Sequence, residues 1–284
     1  MTKRLTKLSM TAVLALALAP SLFAGSWHKD VAAAQKVAKA KNQLILVDMF
    51  ADWCGWCHRF EREVFPSQVF QEATSDIVLL RLDTEDGAEG SQMARKYGVT
   101  SLPTFLLLTP DLTTAGIIKG YAPPNEFVKT LQATRKKHES FEQKVKNEAN
   151  LSKDYFQRLE IAKEFVTRNA FDKSEPRLQK LMTEKGVPAV VRDEAYYQLA
   201  VGYVLQSKPD EAIGTIRKLT SLSQLGEAVE RAKVLAGQIY LQQGNFAAAR
   251  KEFRSFLQTH PESALVPNVN RVLPEIERRL ASNK

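Results

Sequence analysis

"ADWCGWCHRF", residues 51–60, holds both cysteines of a 284-residue chain. Cys54-Gly55-Trp56-Cys57 has the C-x-x-C spacing of a redox-active dithiol. With His58 appended it is also C-x-x-C-H, the attachment signature of a c-type haem. These five residues alone leave both chemistries open, so the flanking sequence carries the decision. "QLILVDMFA" (residues 43–51) enters the motif as an apolar run bounded by polar residues, the mark of a buried strand. "HRFEREVF" (residues 58–65) leaves it with Phe60, Val64 and Phe65 on one helical face, and Pro66 predicts an end or a kink there. A haem site needs a second axial ligand and mostly helical surroundings. His28, His138, His260 and the methionines offer candidate ligands, but none stands at a signature spacing. A zinc site needs four ligands, and a second C-x-x-C is absent. A copper-carrying dithiol with a distant histidine stays open, with nothing to mark that histidine.

Further out, the alternation continues. "DVAAAQKVAKAK" (residues 30–41) predicts a surface helix and "DIVLLRLDT" (residues 76–84) a second buried strand. An acidic loop, a short helix over "QMARKYG", a strand over "VTSLPTFLLLTP" with Pro103 at its start, and a strand over "AGIIKG" follow. "NEFVKTLQATRKKHESF" is a long helix. The order α-β-α-β-α-β-β-α predicts an α/β sheet covered on both faces, with the dithiol where a strand hands over to a helix.

The chain opens with Lys3, Arg4 and Lys7, a short apolar run from Ala12 to Ala19, and small residues up to Ser26, the pattern of a cleaved secretory signal peptide ending at Ala24. Export implies a compartment in which disulfides form, and a bacterial periplasm is the expected location. Two cysteines three residues apart staple no long loop, so the pair serves reactivity or ligation. The formal charge of +8, less the three positive residues of the leader, leaves +5. Arg135-Lys136-Lys137 is the one dense basic run and reads as a solvated helix face, not a nucleic-acid site.

From about Leu151 strand-like runs vanish. "AVGYVLQSKPDEAIGTI" aligns with "AGQIYLQQGNFAAARKEF" at an offset of 37 residues, superposing Ala200 on Gly237, Tyr203 on Tyr240, Ala212 on Ala249 and Ile216 on Phe253. A weaker copy with Ala162, Phe165, Phe171, Ser174 and Leu178 lies 38 residues upstream of the second. This resembles the tetratricopeptide helix-turn-helix repeat, whose usual period is about 34 residues. An unrelated helical bundle is the alternative. The expected organisation is a signal peptide over 1–24, an α/β domain over 25–135, a linking helix over 136–150 and a tetratricopeptide-like helical domain over 151–284.

"LVDMFADWCGWC", "VLLRLDTE", "GVTSLPTFLLL" and "IIKGYAPPNEFVKTL" together resemble thioredoxin over residues 28–134. The likeness is greatest to the C-terminal, periplasmic thioredoxin-like domain of DsbD-type thiol:disulfide interchange proteins, which similarly carries "ADWC", an acidic residue seven after the first cysteine, and an "LPT" turn. The resemblance implies an α/β thioredoxin fold and a role for each matching residue. Cys54 would be the nucleophile and Cys57 the resolving thiol. Asp48 would be the buried acid that takes and returns the Cys57 proton, and Glu61 the second acid that tunes the thiols, with a solvated helix position as its alternative. Arg81 falls where thioredoxin has a lysine near that acid. Pro103 matches the family's cis-proline, Leu102 would offer its backbone to an extended substrate, and Trp53, with Trp56 inside the motif, would shape the docking surface. The Gly55-Trp56 pair departs from thioredoxin's Gly-Pro, and His58 lies one residue outside the pair, where an imidazolium would favour a thiolate or simply face solvent.

The function expected is thiol–disulfide exchange with disulfide-bearing proteins, reduction being the preferred direction, with a membrane electron donor renewing the dithiol, a partner protein on the repeats, and no cofactor, metal or nucleic acid. An oxidase or isomerase on the same fold, a repeat-based scaffold with a regulatory dithiol, and a c-type haem carrier are the rivals.

Overall fold

The structure, a computed structural model, describes residues 27–282; the expected signal peptide lies outside the described residues. A four-stranded sheet of order β2-β1-β3-β4 is built from β1 (Ile45–Phe50), β2 (Val78–Asp83), β3 (Thr104–Leu108) and β4 (Thr114–Lys119). β1 runs parallel to β2 and antiparallel to β3, and β4 pairs antiparallel with β3. Helices α1 (Val31–Lys41), α2 (Gly55–Glu63), α3 (Gln68–Ala73), α4 (Glu89–Lys96) and α5 (Pro124–Lys146) cover the two faces.

The alternation of side chains along a strand divides β1 between two cores. Ile45, Val47 and Met49 pack with Ala34 and Ala38 of α1 and Met93 of α4. Leu46 packs on the other face with Phe60 of α2, Phe70 of α3 and Phe127 of α5. Asp48 shares the face of Leu46, so its carboxylate is directed into the layer that holds α2. The Pro66 stop acts as expected: α2 ends at Glu63, and α3 restarts behind Ser67, whose hydroxyl caps it.

α5 passes without a break through the position expected to separate the α/β domain from a linking helix, and a 3₁₀ turn at Glu148–Asn150 follows it. Antiparallel helix pairs come next: α6 (Tyr155–Thr167) with α7 (Phe171–Thr183), α8 (Ala189–Leu205) with α9 (Pro209–Leu222), and α10 (Glu227–Gln242) with α11 (Phe246–Thr259). Helix α12 (Val266–Ser282) closes the stack. The turn inside each pair contains one residue with left-handed backbone: Asn169 (φ 56°), Ser207 (φ 56°) and Gly244 (φ 72°). Their spacings reproduce the two offsets of the sequence repeat. Ala200, Ala212 and Ala249 are fully buried, because small residues let paired helices approach.

Arg168 fastens the stack to the sheet. Arg168, at the end of α6, donates from Nη1 to the carbonyls of Thr114 (3.1 Å) and Ala115 (3.2 Å), while the Thr114 N–H donates to the Arg168 carbonyl (2.9 Å). Its guanidinium also lies over the Phe141 ring of α5.

Candidate active site

The buried strand β1 delivers the chain to Ala51, whose carbonyl accepts the Cys54 N–H at 3.0 Å and turns it into α2. Cys54 caps that helix: its Sγ accepts the Cys57 N–H at 3.2 Å. The two cysteines form a disulfide with Cα atoms 5.3 Å apart, within the reach of a C-x-x-C on one helical turn. Both are buried, Cys54 at 3% and Cys57 at 1% relative exposure. The two sulfurs therefore differ little in exposure in the oxidised pair. A sulfur at a helix N-terminus sits at the positive end of the macrodipole, which stabilises a thiolate.

The other residues named from sequence fall into three groups. Trp53 and Trp56 project outward, 68% and 54% exposed. Leu102 and Pro103 immediately precede β3, whose start pairs with the end of β1; their peptide bond is cis. Leu102 is half-buried, and among the described residues neither its N–H nor its carbonyl enters a hydrogen bond within the chain.

The third group is electrostatic. Asp48 is 1% exposed, and its register partner on β2 is Arg81. Arg81 Nε lies 3.1 Å from Asp48 Oδ2, an ion pair without hydrogen-bond alignment, and neither Asp48 oxygen receives a hydrogen bond from the described residues. Burial outweighs the guanidinium and, with Glu61 adding to it, pushes the Asp48 carboxyl up to about 7. The other end of Arg81 grips Glu61 bidentately, Nη1 to Oε1 at 2.8 Å and Nη2 to Oε2 at 3.4 Å, and that contact holds the Glu61 carboxyl below its ordinary range. His58 does not merely face solvent. Its Nε2 lies 2.7 Å from the Asp52 carbonyl and its Nδ1 3.6 Å from Glu61 Oε2.

Residues not singled out in the sequence complete the rim. Trp53 Nε1 donates to Glu85 Oε1 at 2.8 Å. Tyr121, just past β4, packs against Trp56 at 5.3 Å between ring centroids and donates to Glu63 Oε2 at 2.5 Å. The Arg59 guanidinium lies 4.8 Å from the centre of the Tyr121 ring. An i, i+3 and i, i+4 reading of α2 brings Trp56, Arg59 and Glu63 to one face; nothing local adds Tyr121, which arrives from 58 residues beyond Glu63. Among the described residues no group of three or more metal-ligating side chains occurs.

Sheet order, the helix-capping disulfide and the cis-proline together are those of a thioredoxin-like domain carrying a C-x-x-C pair, followed by helical repeats. Residues 31–135 match the thioredoxin-like domain model and residues 231–263 a tetratricopeptide repeat. Among characterised relatives, the chain is 41% identical over 75 residues to the thiol:disulfide interchange protein DsbD of Pseudomonas fluorescens, a stretch covering 26% of this chain and 13% of that protein. It is 27% identical over 100 residues to DsbD of Actinobacillus pleuropneumoniae, 34% of this chain and 17% of that one. The likeness thus spans under a fifth of these relatives' length. Among solved structures, the oxidised C-terminal domain of Neisseria meningitidis DsbD is matched over its whole length and 39% of this chain, at 17% identity and a TM-score of 0.34.

Proposed function

We propose that the chain is an exported thiol–disulfide oxidoreductase that reduces cystines in protein partners. The observation that carries this reading is the Cys54–Cys57 disulfide capping α2 between two exposed tryptophans. In the reduced enzyme the Cys54 thiolate attacks one sulfur of a partner's disulfide, forming a mixed disulfide and releasing one partner thiolate. Cys57 then gives its proton to Asp48 and attacks Cys54 Sγ, closing the enzyme disulfide and releasing the second partner thiolate. Two electrons pass to the partner. A carboxyl that titrates near neutrality suits the proton transfer, because an acceptor is most effective with its pKa near the working pH. Leu102 offers backbone groups to an extended partner strand, Pro103 lines the same end of the sheet, and Trp53 and Trp56 supply apolar area. Glu61 acts on the Asp48–Cys57 couple.

The periplasm is the proposed location, after removal of residues 1–24. Lacking a thiol buffer of its own, that compartment requires a membrane electron donor to reduce Cys54–Cys57 again. The domain division proposed is 25–135, 136–150 and 151–284, with the concave side of the helical stack binding a partner protein, as stacked repeats do.

Two measurements test the reading. Cys57→Ser should accumulate a mixed disulfide between Cys54 and a partner protein, which Cys54→Ser abolishes; a scaffold predicts neither. The reduction potential decides the direction: about −270 mV fits a reductase, and about −120 mV identifies an oxidant and overturns it.

A further inference from the structure

One guanidinium lies between two carboxylates. Arg81 faces Glu61 with both terminal nitrogens and Asp48 with Nε alone, at 3.1 Å and out of hydrogen-bond alignment. Its plane is further restrained by the Phe50 ring, 4.2 Å from Cζ. The half-exposed carboxylate therefore holds the better geometry, while the buried one, which has no other donor, holds the worse.

We propose that Arg81 is a positioning residue through which Glu61 controls Asp48: by locking the guanidinium into a bidentate grip, Glu61 keeps it from turning its fork onto the buried carboxylate. This rests on the reading that Asp48 serves Cys57, and it gives Glu61 a route to the thiols that needs no contact with them. The control is electrostatic. Arginine keeps all its protons in proteins, so Arg81 cannot relay one. The bidentate pair is the stronger hydrogen-bonded arrangement, and breaking it frees two N–H donors for a carboxylate that has none. Two charged groups act on Asp48, Arg81 from β2 and Glu61 from α2. His58 of α2 lies against Glu61, and β3 presents Phe105 in register with Asp48. The His28 carbonyl accepts the Arg81 backbone N–H at 2.9 Å, and His28 lines, with Glu61 and Arg81, a cleft of about 570 Å³.

The test is a carbon-13 NMR titration of the Asp48 carboxyl in the oxidised full-length protein, a readout independent of activity. Glu61→Gln should lower the proton affinity of Asp48 about tenfold, because the released guanidinium then hydrogen-bonds it. Glu61→Asp keeps the charge and loses the reach, so it should lower the proton affinity of Asp48 in the same direction as Glu61→Gln, by less because the repulsion between the two carboxylates remains. Should Glu61→Asp leave the titration at its wild-type midpoint, Glu61 acts through space and the proposal falls. In an Arg81→Gln background, where Asp48 should bind its proton about tenfold more tightly or better, adding Glu61→Gln should produce less than half its wild-type effect; an undiminished effect overturns the proposal. If Arg81→Gln does not fold, the Glu61→Asp comparison decides alone. A correct titration pattern with no Cys54 mixed disulfide would sink the reductase reading and leave the fork standing.

Discussion

Asp48 is the residue at which folding and chemistry pull against each other. A carboxylate in a buried strand without a hydrogen-bond donor is costly when ionised, and its proton affinity is raised from an ordinary 3.8 to about 7. The folded state therefore binds this proton more tightly than the unfolded chain does. Its contribution to stability is fully present below about pH 4, declines between there and pH 7, and is lost above. Asp48→Asn removes that decline and leaves Arg81 paired to Glu61. Denaturant unfolding should find the variant more stable than wild type at pH 8, by at most about 4 kcal/mol, and equal to it near pH 4. The same substitution should remove the neutral-pH inflection from the rate at which Cys57 resolves a mixed disulfide, read by rapid-mixing kinetics. Cys54, Cys57 and Asp48 are legible in the sequence because spacing and an out-of-place charge mark them. Glu61 and Arg81 were visible individually, but their joint grip was not, since it depends on which residue of β2 lies beside Asp48.

At the scale of elements, short-range patterns carry most of the information. Strand alternation, the Pro66 stop and the apolar faces of the helices are properties of a few consecutive residues, and the expected elements of the sheet domain lie within a few positions of where the pattern puts them, while α3 is an addition to that order. The turn within each helix pair is subtler. Ser207 is exposed and left-handed where the next repeat has Gly244, and a left-handed non-glycine residue is strained. Ser207→Gly should stabilise the stack by about 0.5–1 kcal/mol, after the entropy glycine loses on folding, measured as an upward shift of the denaturation midpoint. At Gly237 the requirement is space. A Cβ there would stand 2.4 Å from the Phe253 ring, so Gly237→Ala should destabilise the α10–α11 pair by about 1–3 kcal/mol, seen as faster amide exchange in those helices.

At the scale of the molecule, the sheet and the helical stack share α5 and meet again at Arg168, buried against the β4 carbonyls. That contact covers part of an edge strand that would otherwise present unpaired backbone groups. Arg168→Ala leaves two carbonyls without their donor, at about 1–3 kcal/mol each. Calorimetry should show the wild-type transition broadening or dividing as stack and sheet uncouple; an unchanged single transition would mean that α5 and the Asn169–Lys96 hydrogen bond join them without Arg168. No local pattern marks Arg168, which lies 54 residues from Thr114.

By itself the sequence determined most of the elements and their order, the helical period and the two sulfurs at a strand-to-helix junction, because each depends on side chains within a turn or two of one another. Tertiary structure alone decided which charges share a guanidinium, which aromatic ring stands against Trp56 and where the stack is fastened. Those depend on strand register and on where distant segments return, which are settled when the whole core closes.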